Sequence, residues 1–249
     1  MMNWNLILEN LPLFGKGILV SLFLTATSVL FGLLLSIPLA VMRISSARWV
    51  ATPVAAFTFV VRGTPAMVQL FLIYYGLSQF EMVRESILWA WFSNATFCAI
   101  FAFVINTTAY TTEIFAGGLR SIPSGEVEAA QSVGMRKITL YRRILIPSML
   151  RRALPQYSNE VIMMLHMSSL ASLVTMLDIT GVARFINAQF YLAFEPFMTA
   201  GAIYLVLTLL LVKGFRMAER KWLAYLQPRA SEPVASKVQS QRIMKQETT

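Results

Sequence analysis

Long apolar runs, each closed by basic residues, set the pattern of this chain. From Gly17 to Met42 the sequence GILVSLFLTATSVLFGLLLSIPLAVM carries no charge, and a bilayer core needs only about 20 such residues per helix. A second apolar stretch, Pro53 to Phe80, is interrupted by Arg62-Gly63-Thr64-Pro65, and a third, Asn94 to Leu119, turns polar from Asn106 onward. Residues 120–152 hold seven Lys/Arg and no run long enough to span. The pattern predicts a fourth helix that starts near Thr139, enters the membrane after Arg152 and ends near His166. Residues 168–195 fit a short helix, a re-entrant loop or an external cap. The last span covers Pro196 to Val212. These runs predict an all-α polytopic membrane protein of about five transmembrane helices. Its membrane domain occupies residues 10–226, and the polar residues 227–249 form a disordered tail.

Composition agrees. The chain is 57% hydrophobic and 13% charged, whereas soluble domains are about a quarter charged. A net charge of +9 would suggest nucleic acid as the partner of a soluble protein. Here the cations sit at the ends of apolar runs, which is what membrane orientation requires, and nucleic acid is excluded as a partner. With the N-terminus outside, the inner segments 43–53, 120–152 and 213–249 carry 17 of the 21 Lys/Arg. That asymmetry predicts a periplasmic N-terminus and a cytoplasmic C-terminus. The first apolar run has no basic n-region before it and reads as a retained anchor. One cysteine, Cys98, allows no internal disulfide, and one histidine, His166, allows no His-rich metal site. No HExxH or GxSxG motif occurs, so no catalytic residues are assigned.

The basic segment reads RSIPSGEVEAAQSVGMRKITLYRRILIPSMLRR. Pro123 and Ser124 are helix-start residues, and the early Glu126 and Glu128 complement the helix dipole. Gly134 can end the helix in a left-handed conformation. This predicts a short polar helix within residues 123–135 at the cytoplasmic face. Its small Ala129 and Ala130 suit a groove on another protein; the plainer reading is an ordinary loop helix. Glu128-Ala129-Ala130, then Gly134, Ile144 and Pro147, resembles the EAA motif of the permease subunits of ATP-binding-cassette importers. It departs only at Ile146, where that family usually has Leu. The resemblance implies that the helix docks into a partner ATPase and transmits its closure, with Glu128 as contact and Gly134 as hinge. No GxxxxGK[ST] loop is present, so no cofactor is assigned to this chain; ATP and Mg belong to the partner.

Ionisable groups inside spans default to functional hypotheses. Arg62 opens Arg62-Gly63-Thr64-Pro65, which resembles a signature of polar-amino-acid permeases, and Pro65 breaks the helix and frees carbonyls. Arg62 and Thr64 either line the translocation path or, through Arg62, fix packing by an ion pair. Asn106, Tyr110, Glu113 and Gly117 share one helix face, a polar stripe that must avoid lipid, and Tyr110 and Glu113 are assigned to the translocation path. Asn159, Met163 and His166 share another face, with Glu160, Met164 and Met167 beside it. A carboxylate among adaptable methionines favours an amine or guanidinium, so Glu160, with Asn159 nearby, is assigned to the cationic part of a substrate. The alternative is that Glu160 pairs with Arg62 or another basic group.

The resemblance extends over residues 10–225 and points to the membrane subunits of histidine, lysine–arginine–ornithine, arginine and opine importers of Gram-negative bacteria. It implies an inner-membrane subunit paired with an identical or related permease, beneath a periplasmic binding protein and above an ATPase dimer. Such an assembly imports amino acids, here basic ones, by alternating access. From the residues alone, a secondary carrier using Glu113 and Glu160 for protons is the rival, although no internal inverted repeat is evident.

Overall fold

The structure is a computed structural model describing residues 4–222. After a short helix at Trp4–Glu9, the long helices begin with α1 (Leu11–Arg43) and α2 (Arg48–Gly63), which is followed by α3 (Ala66–Phe71). Next come α4 (Ala95–Arg120), α5 (Ser124–Ser132), α6 (Ile146–Met167), α7 (Ile179–Phe190) and α8 (Phe194–Trp222). Three of these, α1, α4 and α8, are each long and apolar enough to cross a membrane. Two bent pairs bring the number to five when each is counted as one broken span: α2 with the α3 segment, bent by 101°, and the α6 segment with α7, bent by 40°.

Helix α1 shows the inside-out logic of a membrane helix. Its buried face is mostly small, with Gly17, Ser21, Thr25, Ser28, Gly32, Ser36 and Ala40 joined by only two large side chains, Phe14 and Leu24, while Leu19, Phe23, Leu30, Phe31 and Leu34 are exposed. Lipid is as apolar as leucine, so burying large side chains gains little, and small residues win the interior because they let backbones approach. A Cβ on Gly32 would overlap the Thr107 methyl of α4, and one on Gly118 of α4 would come within 3.2 Å of the Met149 carbonyl of α6. Helix α4 is therefore the hub: 56% of its most apolar window is buried, against 6% for α8.

Several boundaries differ from the sequence pattern. The first helix starts at Leu11 rather than Gly17 and the last runs from Phe194 to Trp222, because helical hydrogen bonding continues past the apolar stretch. The fourth helical segment begins at Lys137, not Thr139, and continues beyond His166 to Val174 as a 3₁₀ stretch, Ser168–Val174. Its early part, Tyr141–Leu145, is a π-turn. Pro147 supplies the cause: it has no N–H for the Arg143 carbonyl, and the ladder widens one turn earlier. Within residues 168–195 the structure has a short helix, α7, entered through Asp178. Asp178 is fully buried, and its carboxylate accepts hydrogen bonds from the backbone N–H groups of Thr180 and Gly181 at 3.0 and 3.1 Å and from the Tyr204 hydroxyl at 3.2 Å. A buried carboxylate with its acceptors satisfied this way is a helix cap, not a bare charge. The expected tail at 227–249 lies outside the described residues.

Candidate functional site

Pro65 cannot continue α2, so the chain turns at Gly63–Thr64 and leaves carbonyls without helical partners. Two side chains recover them: the Thr64 hydroxyl donates to the Val60 and Val61 carbonyls at 3.0 and 3.3 Å, and Gln69 does the rest. Gln69 Nε2 donates to the Val61 carbonyl at 2.6 Å, the Thr64 carbonyl at 3.1 Å and Thr64 Oγ1 at 2.8 Å. Its Oε1 accepts from Asn106 Nδ2 of α4 at 3.0 Å. The break is thus stapled to the central helix. Arg62, just before it, places its guanidinium carbon 5.2 Å from the centre of the Tyr110 ring, a cation–π contact.

Beside the break lies a cavity of about 1080 Å³. Arg62, Thr64, Tyr110, Glu113, Asn159 and Glu160, which sequence analysis places on the translocation path, all line it. They arrive from three directions: the α2–α3 break, the polar stripe of α4 and the methionine-bearing face of α6. Met163, Met164 and Met167 complete the wall. The two carboxylates differ sharply. Glu113 Oε1 accepts from Arg43 Nε at 2.7 Å and from Thr58 Oγ1 at 2.7 Å, so its charge is already matched. Glu160 is only 9% exposed, and its hydrogen-bonding neighbour is Thr107. The ion pair considered between Glu160 and Arg62 is not formed: among the described residues no ion pair within 4.0 Å includes either group. Arg43 is the cation that neutralises the other intramembrane carboxylate, Glu113. His166 also lines the cavity, and its Nε2 lies 2.9 Å from Thr208 Oγ1 of α8.

Four participants escaped sequence reasoning. Gln69 sits in the apolar run AMVQLFLIYYG, and the rule that intramembrane polar residues default to function would have found it. Thr58 and Thr107 gave no signal, since threonine commonly satisfies itself on its own helix. Arg43 read as a loop marker because it follows the last apolar residue of α1. Among the described residues no cluster of three or more His, Cys, Asp or Glu could hold a metal ion.

The predicted cytoplasmic helix is α5, Ser124–Ser132. Gly134 follows with φ +73°, the Gly134 N–H donates to the Gln131 carbonyl at 2.9 Å, and the Met135 N–H to the Ala130 carbonyl at 3.2 Å. That pair of bonds is a Schellman motif, with Met135 and Ala130 in one apolar cluster. Glu128 and Ala129 are exposed, whereas Ala130 is buried. Ile144 packs against that same cluster beside Leu145 and Met149, while Pro147 stands in the first turn of α6. Arg152 of α6 donates to Glu126 at 3.1 Å, fixing the angle at which α5 leaves the bundle.

Membrane-length apolar helices around a polar cavity, with a short exposed helix held outside the bundle, define a membrane transport subunit. The chain belongs to the family described as the binding-protein-dependent transport system inner membrane component, whose pattern matches residues 10–222. It is 46% identical over 204 residues to the octopine transport system permease protein OccM of Rhizobium radiobacter, covering 82% of this chain and 83% of the relative. It is 44% identical over 213 residues to the histidine/lysine/arginine/ornithine transport system permease protein HisM of Escherichia coli K12, covering 85% and 90%. Its fold matches the crystal structure of an amino acid ABC transporter with histidines, at a TM-score of 0.78 and 34% identity, over 89% of this chain and 99% of that one. A methionine ABC transporter, MetNI, in inward-facing form matches in fold at a TM-score of 0.74 and 17% identity, over 86% and 97%. The chain is therefore a multi-pass inner-membrane permease of an ATP-binding-cassette amino-acid transporter, and ATP hydrolysis belongs to a separate subunit. The secondary-carrier alternative falls with that membership.

Proposed function

We propose that this permease imports basic amino acids or opines, that Glu160 receives the substrate's cationic group, and that α5 carries the closure of a partner ATPase dimer into the bundle. The observation that carries this reading is the asymmetry of the two cavity carboxylates: Glu113 is matched by Arg43, while Glu160 has no cation within ion-pair distance among the described residues. A carboxylate at membrane depth without its own counter-ion is suited to one that arrives with the substrate. The relatives support the substrate class, since they are named for octopine and for histidine, lysine, arginine and ornithine. Arg62, with Thr64 at the helix break, and the polar edges of Tyr110 and Asn159 would serve the substrate's remaining polar groups.

The N-terminus is taken as periplasmic and the C-terminus as cytoplasmic, from the distribution of Lys and Arg. On that orientation α5 faces the ATPase, with Glu128, Ala129 and Ala130 at or beside the contact and Gly134, Ile144 and Pro147 bracing it. A second permease, identical or related, completes the path beneath a periplasmic binding protein. Alternating access then needs two bundle states, biased by nucleotide on one side and by the loaded binding protein on the other.

The test is uptake of labelled arginine, lysine, histidine and glutamine by the assembled transporter in proteoliposomes. Glu160→Gln is expected to lower uptake of the cationic substrates by about 10- to 100-fold, the scale of a lost charged hydrogen bond, with assembly unchanged. Wild-type uptake of every cationic substrate by Glu160→Gln would remove Glu160 from the binding site.

A further inference from the structure

Away from the cavity, the end of α1 that carries Arg43 forms a second concavity with the segment that follows α5. It is an apolar groove of about 620 Å³, walled by Ile37, Val41 and Met42 on one side and by Ile138, Tyr141 and Ile146 on the other. Ile138 is 83% exposed and Met42 40% exposed. Two cations, Lys137 and Arg142, also line it, and among the described residues no acidic side chain does. Neither cation has a carboxylate within 4.0 Å among the described residues. Arg43 closes the α1 span one residue beyond Met42, which sets the groove at the level where hydrocarbon meets headgroups.

An apolar trough open to the side of a span suits an acyl chain, and two unpaired cations at its edge suit a phosphate. We propose that this groove binds an anionic phospholipid, with one acyl chain against Met42 and Ile138 and the phosphate held by Lys137 and Arg142. Tyr141 contributes an amphipathic ring at the interfacial depth where such rings settle. The assignment to the cytoplasmic leaflet rests on the orientation proposed above; the class of lipid rests on the groove itself.

The experiment uses the full transporter, purified in mild detergent from membranes containing phosphatidylethanolamine and phosphatidylglycerol, with retained lipids weighed by native mass spectrometry. Wild type is expected to hold phosphatidylglycerol enriched on the order of tenfold over its membrane fraction, the effect of two near-surface cations. Lys137→Gln/Arg142→Gln is expected to lose the enrichment and Lys137→Arg/Arg142→Lys to keep it. Retention of lipids by wild type in the membrane ratio would overturn the proposal, as would equal enrichment in the glutamine variant. A photo-crosslinking residue placed at Ile138 gives an independent reading: a phospholipid adduct supports the site, and an adduct to a protein chain overturns it. Thiol labelling of cysteines introduced in the loop after Arg43 tests orientation separately, and an outward-facing result would move the site to the other leaflet without removing it.

Discussion

Arg43 and Glu113 stand 2.7 Å apart, joining the last residue of α1 to the hub helix α4. Thr58 of α2 donates to the same carboxylate oxygen at 2.7 Å, so three helices meet on one oxygen atom. The pair is mostly buried, with side-chain exposures of 25% and 18%. The cavity's two carboxylates therefore differ in surroundings: Glu113 has its counter-ion built in.

Breaking that clamp from one side should cost more than removing both halves. Glu113→Gln or Arg43→Met alone is expected to destabilise the detergent-solubilised protein by about 1–3 kcal/mol, because each leaves a partly buried charge unmatched. The double variant should recover part of the loss. Thermal unfolding of the four species closes the cycle, and strictly additive losses would show that the two side chains do not act together.

Gly134 carries a backbone requirement rather than a space requirement: its φ is +73° and a Cβ there would meet nothing within 4 Å. Gly134→Ala is expected to cost about 1–2 kcal/mol locally, whereas Gly134→Asn, which tolerates the left-handed region, should cost less. Co-purification of the ATPase is the readout. Equal retention by wild type, Gly134→Ala and Gly134→Asp would separate this turn from coupling.

Gly32 makes the opposite case, in which space alone decides. Gly32→Ala forces a methyl onto the Thr107 methyl and should lower stability by about 1–3 kcal/mol. Thr107→Ser removes the opposing methyl and is expected to rescue it. Unfolding midpoints that are indifferent to the second substitution would mean that α1 and α4 separate elsewhere.

Gln69 holds the broken helix to Asn106, so its loss should be felt at the cavity. Gln69→Leu leaves the buried Asn106 amide without its partner, at about 1–3 kcal/mol for a polar group left buried and unsatisfied, and weakens the tie to the Val61 and Thr64 carbonyls. Transport by reconstituted transporter is expected to fall by more than assembly does. Normal uptake would show that the break needs no staple.

The class of protein, the approximate apolar spans and the short helix before Gly134 were legible in the sequence. Apolar runs of membrane length and the bias of Lys/Arg towards alternate segments are local, one-dimensional signals. The turn at Gly134 was legible for the same reason, since a Schellman motif is written in a few neighbouring residues. So was the cap at Asp178, had the aspartate before Ile179 been read as a helix start, because its N–H partners are its own neighbours.

Partnership across the bundle was decided only by the tertiary structure. Arg43 and Glu113 are 70 residues apart in the chain, and Gln69 and Asn106 are 37 apart, and no periodicity links them. Glu113 and Glu160 look alike as intramembrane carboxylates, yet Arg43 reaches one and not the other. Helix faces can be drawn from a sequence, but which faces meet depends on how closely small residues such as Gly32 and Gly118 let the backbones approach. That distance belongs to the packed bundle.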